Sequence, residues 1–101
     1  AYTMILADVI ARVERMISGI QSVNLFTGTD EYGSKVAKEA ARSGMHPKDW
    51  TNKLAPHFQS LADNLNISYH RFIRTTDEDH RQAVVHLWKR LLDRGDIYHG
   101  H

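Results

Sequence analysis

Apolar residues recur every three or four positions through the first part of the chain, which is the spacing of one helix face. These residues are Leu6, Ile10, Val13 and Ile17. The pattern predicts an amphipathic helix that ends near Gly19. A second helix is predicted after position 33, where small residues suit close packing on a sheet and Gly44 supplies a left-handed C-terminal cap. The small-residue stripe consists of Val36, Ala37, Ala40 and Ala41.

Two further helices are predicted in the second half of the chain. Pro47 suits the first turn of the third helix, and Pro56 within the same pattern predicts a kink or a break. The apolar face of this helix is Trp50, Leu54, Phe58, Leu61 and Leu65. Thr75 and Glu78 fit a capping box at the start of the fourth helix, which is predicted to end at Gly95. Its predicted buried residues are Val84, Leu87, Trp88, Leu91 and Leu92.

Two short strands are predicted between these helices. The apolar run 23–26 predicts the first strand, and the β-branched and aromatic residues of 67–73 predict the second. Helices that alternate with short apolar strands favour a parallel sheet with right-handed crossovers. The predicted fold class is therefore α/β and helix-rich, as part of a doubly wound parallel sheet. A chain of 101 residues forms one domain at most.

A glycine-bracketed segment with two carboxylates, residues 28–33, joins the first predicted strand to the second helix. In open α/β sheets, ligands bind at the carboxyl ends of the strands, so Asp30 and Glu31 are well placed to contact a substrate. The flanking glycines let the backbone turn tightly and let a ligand approach. The alternative is that both acids cap the following helix, where negative charge favours the positive end of the helix dipole. The turn alone leaves both interpretations open.

Composition narrows the function classes. Lys and Arg number 13 against 12 Asp and Glu, so the net charge is +1 and the chain carries no basic patch typical of polyanion binding. Cysteine is absent, which excludes disulfides and thiolate chemistry. His80 and His86 do not share a helix face, and the histidines predict no metal site. The sequence shows neither an apolar stretch of membrane-spanning length nor a signal-peptide pattern, so no membrane partner is expected.

Four pieces of the chain carry a family resemblance. They are the start Ala-Tyr-Thr at 1–3, the acidic turn at 28–33, Phe-Ile-Arg-Thr-Thr at 72–76 and Gly-Asp-Ile-Tyr at 95–98. In this order and spacing the chain resembles the methionyl-tRNA synthetases, a family of class I aminoacyl-tRNA synthetases, over essentially its whole length. The acidic turn and the Phe-Ile-Arg-Thr-Thr block together are far more specific than either alone.

The resemblance implies activation of methionine by ATP, with magnesium, to methionyl-adenylate, followed by transfer of the methionyl group to tRNA. In the family, Ala-Tyr-Thr directly follows the signature His-Ile-Gly-His, and Lys-Met-Ser-Lys-Ser comes later; this sequence contains neither. We therefore expect residues 1–101 to be an internal part of a Rossmann-like, nucleotide-binding catalytic domain, without the strand and the region that carry those signatures. Such a fragment is expected to be inactive alone. Without cysteine it also lacks the zinc knuckle of many members.

The resemblance also implies roles for individual residues. Asp30 matches the family residue that binds the α-ammonium group of methionine, and Gly28, Thr29 and Glu31 are expected to line the same site. Whether Glu31 or Arg74 touches substrate is left open, because an arginine at that position can also hold a neighbouring acid. No residue of this chain is expected to be catalytic.

Two other function classes remain at the sequence level. One is a free-standing synthetase-like module that binds an amino acid or a nucleotide, and the other is a helical interaction domain. A missing strand would leave a sheet edge or apolar surface uncovered, so self-association of the chain is expected. The resemblance implies an intracellular location, in the mitochondrial matrix or the cytoplasm.

Overall fold

The fold is a helix-rich α/β arrangement around one pair of parallel strands. A computed structural model describes residues 2–19 and 23–100. The elements within these residues are α1 (Tyr2–Ser18), β1 (Phe26–Thr29), α2 (Ser34–Arg42), α3 (Pro47–Asn64), β2 (Arg71–Arg74) and α4 (Glu78–Asp93). The strands β1 and β2 pair in parallel, in a register that sets Phe26 opposite Arg71 and Thr29 opposite Arg74. The predicted α/β, helix-rich class with a parallel sheet is confirmed.

Both strands start later along the chain than their apolar runs predicted. Strand β1 begins at the last residue of the run 23–26 and continues through Gly28. A Cβ atom at Gly28 would lie 1.7 Å from the carbonyl oxygen of Ile73, so only glycine allows the two backbones to approach this closely. Gly28 was predicted to belong to the turn, but it is part of strand β1, because backbone pairing with β2 determines where β1 lies.

The C-terminal end of α3 explains the late start of β2. Asn66 has a φ of 51°, and the N–H of Ile67 donates to the carbonyl of Ala62 at 3.0 Å. This is a Schellman cap, which keeps residues 65–67 in the helix terminus and out of the sheet. The same left-handed turn closes α2 at Gly44, with a φ of 64°, as the sequence predicted.

Helix α3 runs unbroken from Pro47 to Asn64, so of the kink or break predicted at Pro56 the break is wrong. Proline at this position removes one backbone donor from the helix ladder. Helix α3 packs against both α2 and β1, and this tertiary packing offsets that loss.

Small side chains occupy most of the buried positions. The buried apolar residues are Ala11, Ala40, Ala55, Ala62 and Ile67. Ala40 belongs to the predicted small-residue stripe of α2, and its burial allows α2 to approach α3 closely. Helix α4 buries none of its residues, and Trp88 is 57% exposed, so the predicted buried face of α4 is wrong within the described chain. The periodicity correctly indicated a helix, but it carries no information about what covers the helix.

Candidate functional site

The carboxyl ends of β1 and β2 lie side by side and bring two separate segments together. Asp30 and Glu31 follow β1, while Thr75 and Thr76 follow β2. The N–H of Thr75 donates to the carbonyl of Thr29 at 3.2 Å, which extends the pairing one residue beyond β2. Parallel pairing thus places the acidic turn directly beside the Phe-Ile-Arg-Thr-Thr block.

Glu31 lies at the centre of this junction, with its side chain only 3% exposed. Its Oε1 accepts from Arg74 Nε at 2.8 Å and from the hydroxyl of Thr29 at 3.3 Å. Its Oε2 accepts from the hydroxyl of Thr76, and its backbone N–H donates to Thr75 Oγ1 at 2.9 Å. We call Glu31, Arg74, Thr29, Thr75 and Thr76 the Glu31 cluster.

Arg74 extends the Glu31 cluster to the helix layer. Its Nη2 donates to Asn52 Oδ1 on α3 at 2.7 Å, while its Nε holds Glu31. Arg74 therefore links the ends of both strands to α3. The sequence left open whether Arg74 contacts substrate or holds an acid, and the structure places it against Glu31.

The electrostatics of Glu31 follow from these contacts. Burial alone would raise its pKa, because a carboxylate loses hydration on leaving water. The hydrogen bonds from Arg74 and Thr76, with the positive charge of Arg74, outweigh burial and hold the pKa of Glu31 below its ordinary value. Glu31 is thus a paired carboxylate at neutral pH, which suits it to hold other groups in place.

Asp30 has a different environment from its neighbour. It is exposed, and its Oδ1 accepts from the backbone N–H of Tyr32 at 3.2 Å. Helix α2 starts at Ser34 with Gly33 as its N-cap. In the part of the chain that the structure describes, the carboxylates of Asp30 and Glu31 accept hydrogen bonds from the turn and from the Glu31 cluster, and neither accepts a capping bond from α2. These contacts therefore do not support the alternative that both acids cap α2.

An open cavity of about 420 Å³ lies beside the acidic turn, between β1, α2 and α3. The end of β1 contributes Asp30 and Glu31, and Gly28 and Thr29 also line the cavity. The helices contribute Lys35, Val36, Glu39, Trp50, Thr51, Leu54, Ala55 and Phe58. All four residues of the predicted substrate site thus share one cavity. A carboxylate on the rim of an apolar cleft can pair with a cation while the apolar walls cover the rest of a ligand.

Some residues in and beside this cavity were not predicted from the sequence. Lys35, which lines the cavity, and Asn52, which accepts from Arg74 beside it, belong to no sequence motif, since only the fold brings them to the strand ends. Trp50 was predicted as part of an apolar face, and its first three members, Trp50, Leu54 and Phe58, line the cavity. The predicted capping box at Thr75 and Glu78 is wrong: α4 begins at Glu78 after Asp77, because the hydroxyl of Thr75 accepts from Glu31.

A second buried carboxylate, Asp8, lies on α1 and outside the lining of this cavity. Its Oδ2 accepts from Arg12 Nε at 2.7 Å. Its Oδ1 accepts from the backbone N–H of Ser68 at 2.8 Å and also from the Ser68 hydroxyl. Burial would raise the pKa of Asp8, but these hydrogen bonds hold it below its ordinary value. We call Asp8, Arg12 and Ser68 the Asp8 cluster.

Residues 2–19 and 23–100 also bear on metal and membrane binding. These residues contain no group of three or more His, Asp or Glu side chains placed to hold a metal ion. Across the same ranges, no helix combines the length and the hydropathy that a bilayer crossing requires.

Comparison with known proteins gives a consistent result. The family model described as tRNA synthetases class I (M) matches residues 1–101. A methionine–tRNA ligase of Rickettsia prowazekii is 45% identical over 100 residues, which are 99% of this chain and 19% of that protein. A probable mitochondrial methionine–tRNA ligase of Dictyostelium discoideum is 41% identical over 99 residues, 98% of this chain and 17% of that protein.

The fold agrees with the sequence comparison. A crystal structure of Mycobacterium tuberculosis methionyl-tRNA synthetase bound by methionyl-adenylate matches with a TM-score of 0.85 and 44% identity, over 96% of this chain and 19% of that one. The chain thus spans about a fifth of the length of such relatives, and the resemblance seen in the acidic turn and the Phe-Ile-Arg-Thr-Thr block extends to the whole chain. The chain belongs to the family of class I tRNA synthetases designated M.

Proposed function

We propose that residues 1–101 are part of the catalytic domain of a methionine–tRNA ligase, which activates methionine with ATP and transfers it to tRNA. The observation that carries this proposal is the position of Asp30. Its carboxylate is exposed at the end of a parallel strand, on the rim of the cavity. The same chain is 44% identical to a synthetase whose crystal structure holds methionyl-adenylate.

We propose that Asp30 binds the α-ammonium group of methionine. A carboxylate and an ammonium group form a short, charge-assisted hydrogen bond, about twice as strong as a neutral one. The bond from Tyr32 N–H occupies Oδ1 and leaves the exposed carboxylate with further acceptor capacity. Gly28, Thr29 and Glu31 line the same cavity.

The adenylation step depends on groups outside this segment. Stabilising the transferring phosphates requires positioned donors and positive charge, which the family's His-Ile-Gly-His and Lys-Met-Ser-Lys-Ser signatures supply. The sequence contains neither signature, and residues 2–19 and 23–100 contain no group of three or more His, Asp or Glu side chains placed to hold a metal ion. We therefore assign this segment to methionine binding and assign it no step with magnesium, and we expect the 101-residue chain alone to be inactive.

Two further expectations belong to this proposal. Apolar side chains of α1 and α4, such as Ile10 and Trp88, are more than half exposed. We propose that the remainder of the synthetase covers them, and that the chain alone self-associates through them. The relatives in Rickettsia and in a mitochondrion support an intracellular location, in the cytoplasm or the mitochondrial matrix.

The test is the substitution Asp30→Ala in the complete synthetase that carries this segment. Truncating one member of a desolvated charge pair costs about 2–5 kcal/mol, so the KM for methionine should rise by roughly one and a half to three and a half orders of magnitude. The KM for ATP should move much less, because Asp30 is assigned only to the ammonium group. Steady-state ATP–pyrophosphate exchange measures both constants.

Asp93→Ala is the matched control, because Asp93 is an exposed acid at the last position of α4. It should leave both Michaelis constants unchanged. A lowered melting temperature of Asp30→Ala with an unchanged methionine KM would return Asp30 to a purely structural role and overturn the proposal.

A further inference from the structure

We infer that Glu31 and Arg74 are positioning residues for methionine binding: they do not touch the substrate, but they fix the backbone that aims Asp30 into the cavity. The inference rests on the proposed function, since it requires Asp30 to bind methionine. It assigns a role to a buried ion pair that substrate contact does not explain.

The first argument is the occupancy of the Glu31 carboxylate. Both oxygens accept hydrogen bonds from protein groups, Oε1 from Arg74 and Thr29 and Oε2 from Thr76. The side chain is 3% exposed although the residue borders the cavity. A carboxylate with its oxygens turned toward its own protein has little capacity left for a substrate ammonium group.

The second argument is the number of elements that Arg74 joins. Its Nε holds Glu31 after β1, its Nη2 holds Asn52 on α3, and its backbone N–H donates to Asp77 Oδ2 at 3.1 Å. The planar guanidinium group offers donors in a fixed geometry, so two of its bonds set the position of α3 relative to the strand end. The cavity lies between these same elements.

The third argument is the contrast between Asp30 and Glu31 across one peptide bond. Within residues 2–19 and 23–100, Asp30 accepts one hydrogen bond, from the nearby backbone N–H of Tyr32. Glu31 is fixed at its backbone by Thr75 and at its side chain by Arg74. The direction of the Asp30 side chain therefore depends on the anchoring of its neighbour. A misplacement of about 1 Å in a binding group can cost as much as a hundredfold.

The experiment compares two buried carboxylates in the complete synthetase. Glu31→Gln removes the charge and keeps the size of the side chain, and Asp8→Asn does the same in the Asp8 cluster, away from the cavity. We expect Glu31→Gln to raise the methionine KM roughly tenfold or more, with the ATP KM and kcat changing much less. Asp8→Asn should leave the methionine KM unchanged, even if both variants melt at lower temperature.

A double variant tests whether Glu31 acts through Asp30. If it does, the double variant Asp30→Ala with Glu31→Gln should have the same methionine KM as Asp30→Ala alone. The reason is that the Asp30 carboxylate, which Glu31→Gln would misplace, is already absent. Independent effects that multiply would overturn the inference. Equal KM changes in Glu31→Gln and Asp8→Asn would overturn it as well, since they would report general destabilisation.

A milder variant keeps the test usable if Glu31→Gln does not fold. Asn52→Ala removes one exposed acceptor of Arg74 and should raise the methionine KM by about threefold, the size of one ordinary hydrogen bond. No change in KM for either Asn52→Ala or Glu31→Gln, with a large change for Asp30→Ala, would refute the positioning role alone. No change for Asp30→Ala would refute the proposed methionine site itself.

Discussion

The Glu31 cluster and the Asp8 cluster use the same chemistry in two different places. Each buries a carboxylate against an arginine and a hydroxyl group, and in each the pKa of the acid lies below its ordinary value. Each also joins distant parts of the chain, Glu31 to Arg74 and Asp8 to Ser68. Only the Glu31 cluster borders the cavity and follows an exposed acid. A buried ion pair is therefore no evidence of a functional site until its neighbours are considered.

The two clusters also differ in how much they rely on the arginine. Ser68 gives Asp8 two hydrogen bonds, from its N–H and its hydroxyl, and Arg12 is 45% exposed at its side chain. Glu31 has two threonine hydroxyls, but its charged partner Arg74 is only 26% exposed. Removing the arginine should therefore lower the stability more in the Glu31 cluster than in the Asp8 cluster.

The largest expected effect compares Arg74→Ala with Arg12→Ala. Arg74→Ala leaves Glu31 buried without its countercharge, which costs about 3–5 kcal/mol of unfolding free energy. Arg12→Ala should cost about 1 kcal/mol, because Arg12 is half exposed and Ser68 continues to satisfy Asp8. Urea unfolding followed by circular dichroism measures both changes. Equal losses of unfolding free energy would show that the two arginines stabilise the protein to the same extent. The two clusters would then not differ in their dependence on the arginine.

A smaller effect is expected from pH. Glu31 and Asp8 have lower pKa values in the folded protein than in the unfolded chain, so the unfolded chain binds more protons as the pH falls. The stability that each carboxylate contributes is present above its ordinary pKa and is lost as the pH falls through the folded value. The stability advantage of wild type over Glu31→Gln should narrow below about pH 4.5, and that over Asp8→Asn below about pH 3.8.

Urea midpoints measured between neutral pH and pH 3 check this expectation. The exposed pair of Glu39 and Arg42 supplies the control, since Glu39→Gln should track wild type closely across the series. A gap between wild type and Glu31→Gln that stays constant with pH would mean that the ion pair contributes no pH-dependent stability.

These clusters also mark where sequence reasoning ended. The helices followed from local periodicity, and the left-handed cap at Gly44 followed from one residue type. The acidic turn and the Phe-Ile-Arg-Thr-Thr block identified the family because they are contiguous motifs. The bond between Glu31 and Arg74 spans 43 positions, and no local pattern encodes such a contact. The predicted position of strand β1 was wrong for the same reason, since the strand's position depends on the close approach of Gly28 to Ile73.

The smallest expected effect concerns Asn66, whose carbonyl accepts from Arg12 at the edge of the Asp8 cluster. Its φ of 51° lies in the left-handed region, which glycine adopts freely and alanine does not. Asn66→Gly should change the unfolding free energy by only a few tenths of a kcal/mol, and Asn66→Ala should lower it by about 1 kcal/mol.

Gly44→Ala is the matched control at the end of α2, where φ is 64° and a Cβ would meet nothing within 4 Å. Its loss should be similar, because the backbone conformation is the shared cause. A loss for Asn66→Ala well beyond that of Gly44→Ala, measured by urea unfolding, would mean that this helix end also holds Arg12 and Ser68 against Asp8. The Asp8 cluster would then depend on backbone anchoring in the way proposed for the Glu31 cluster.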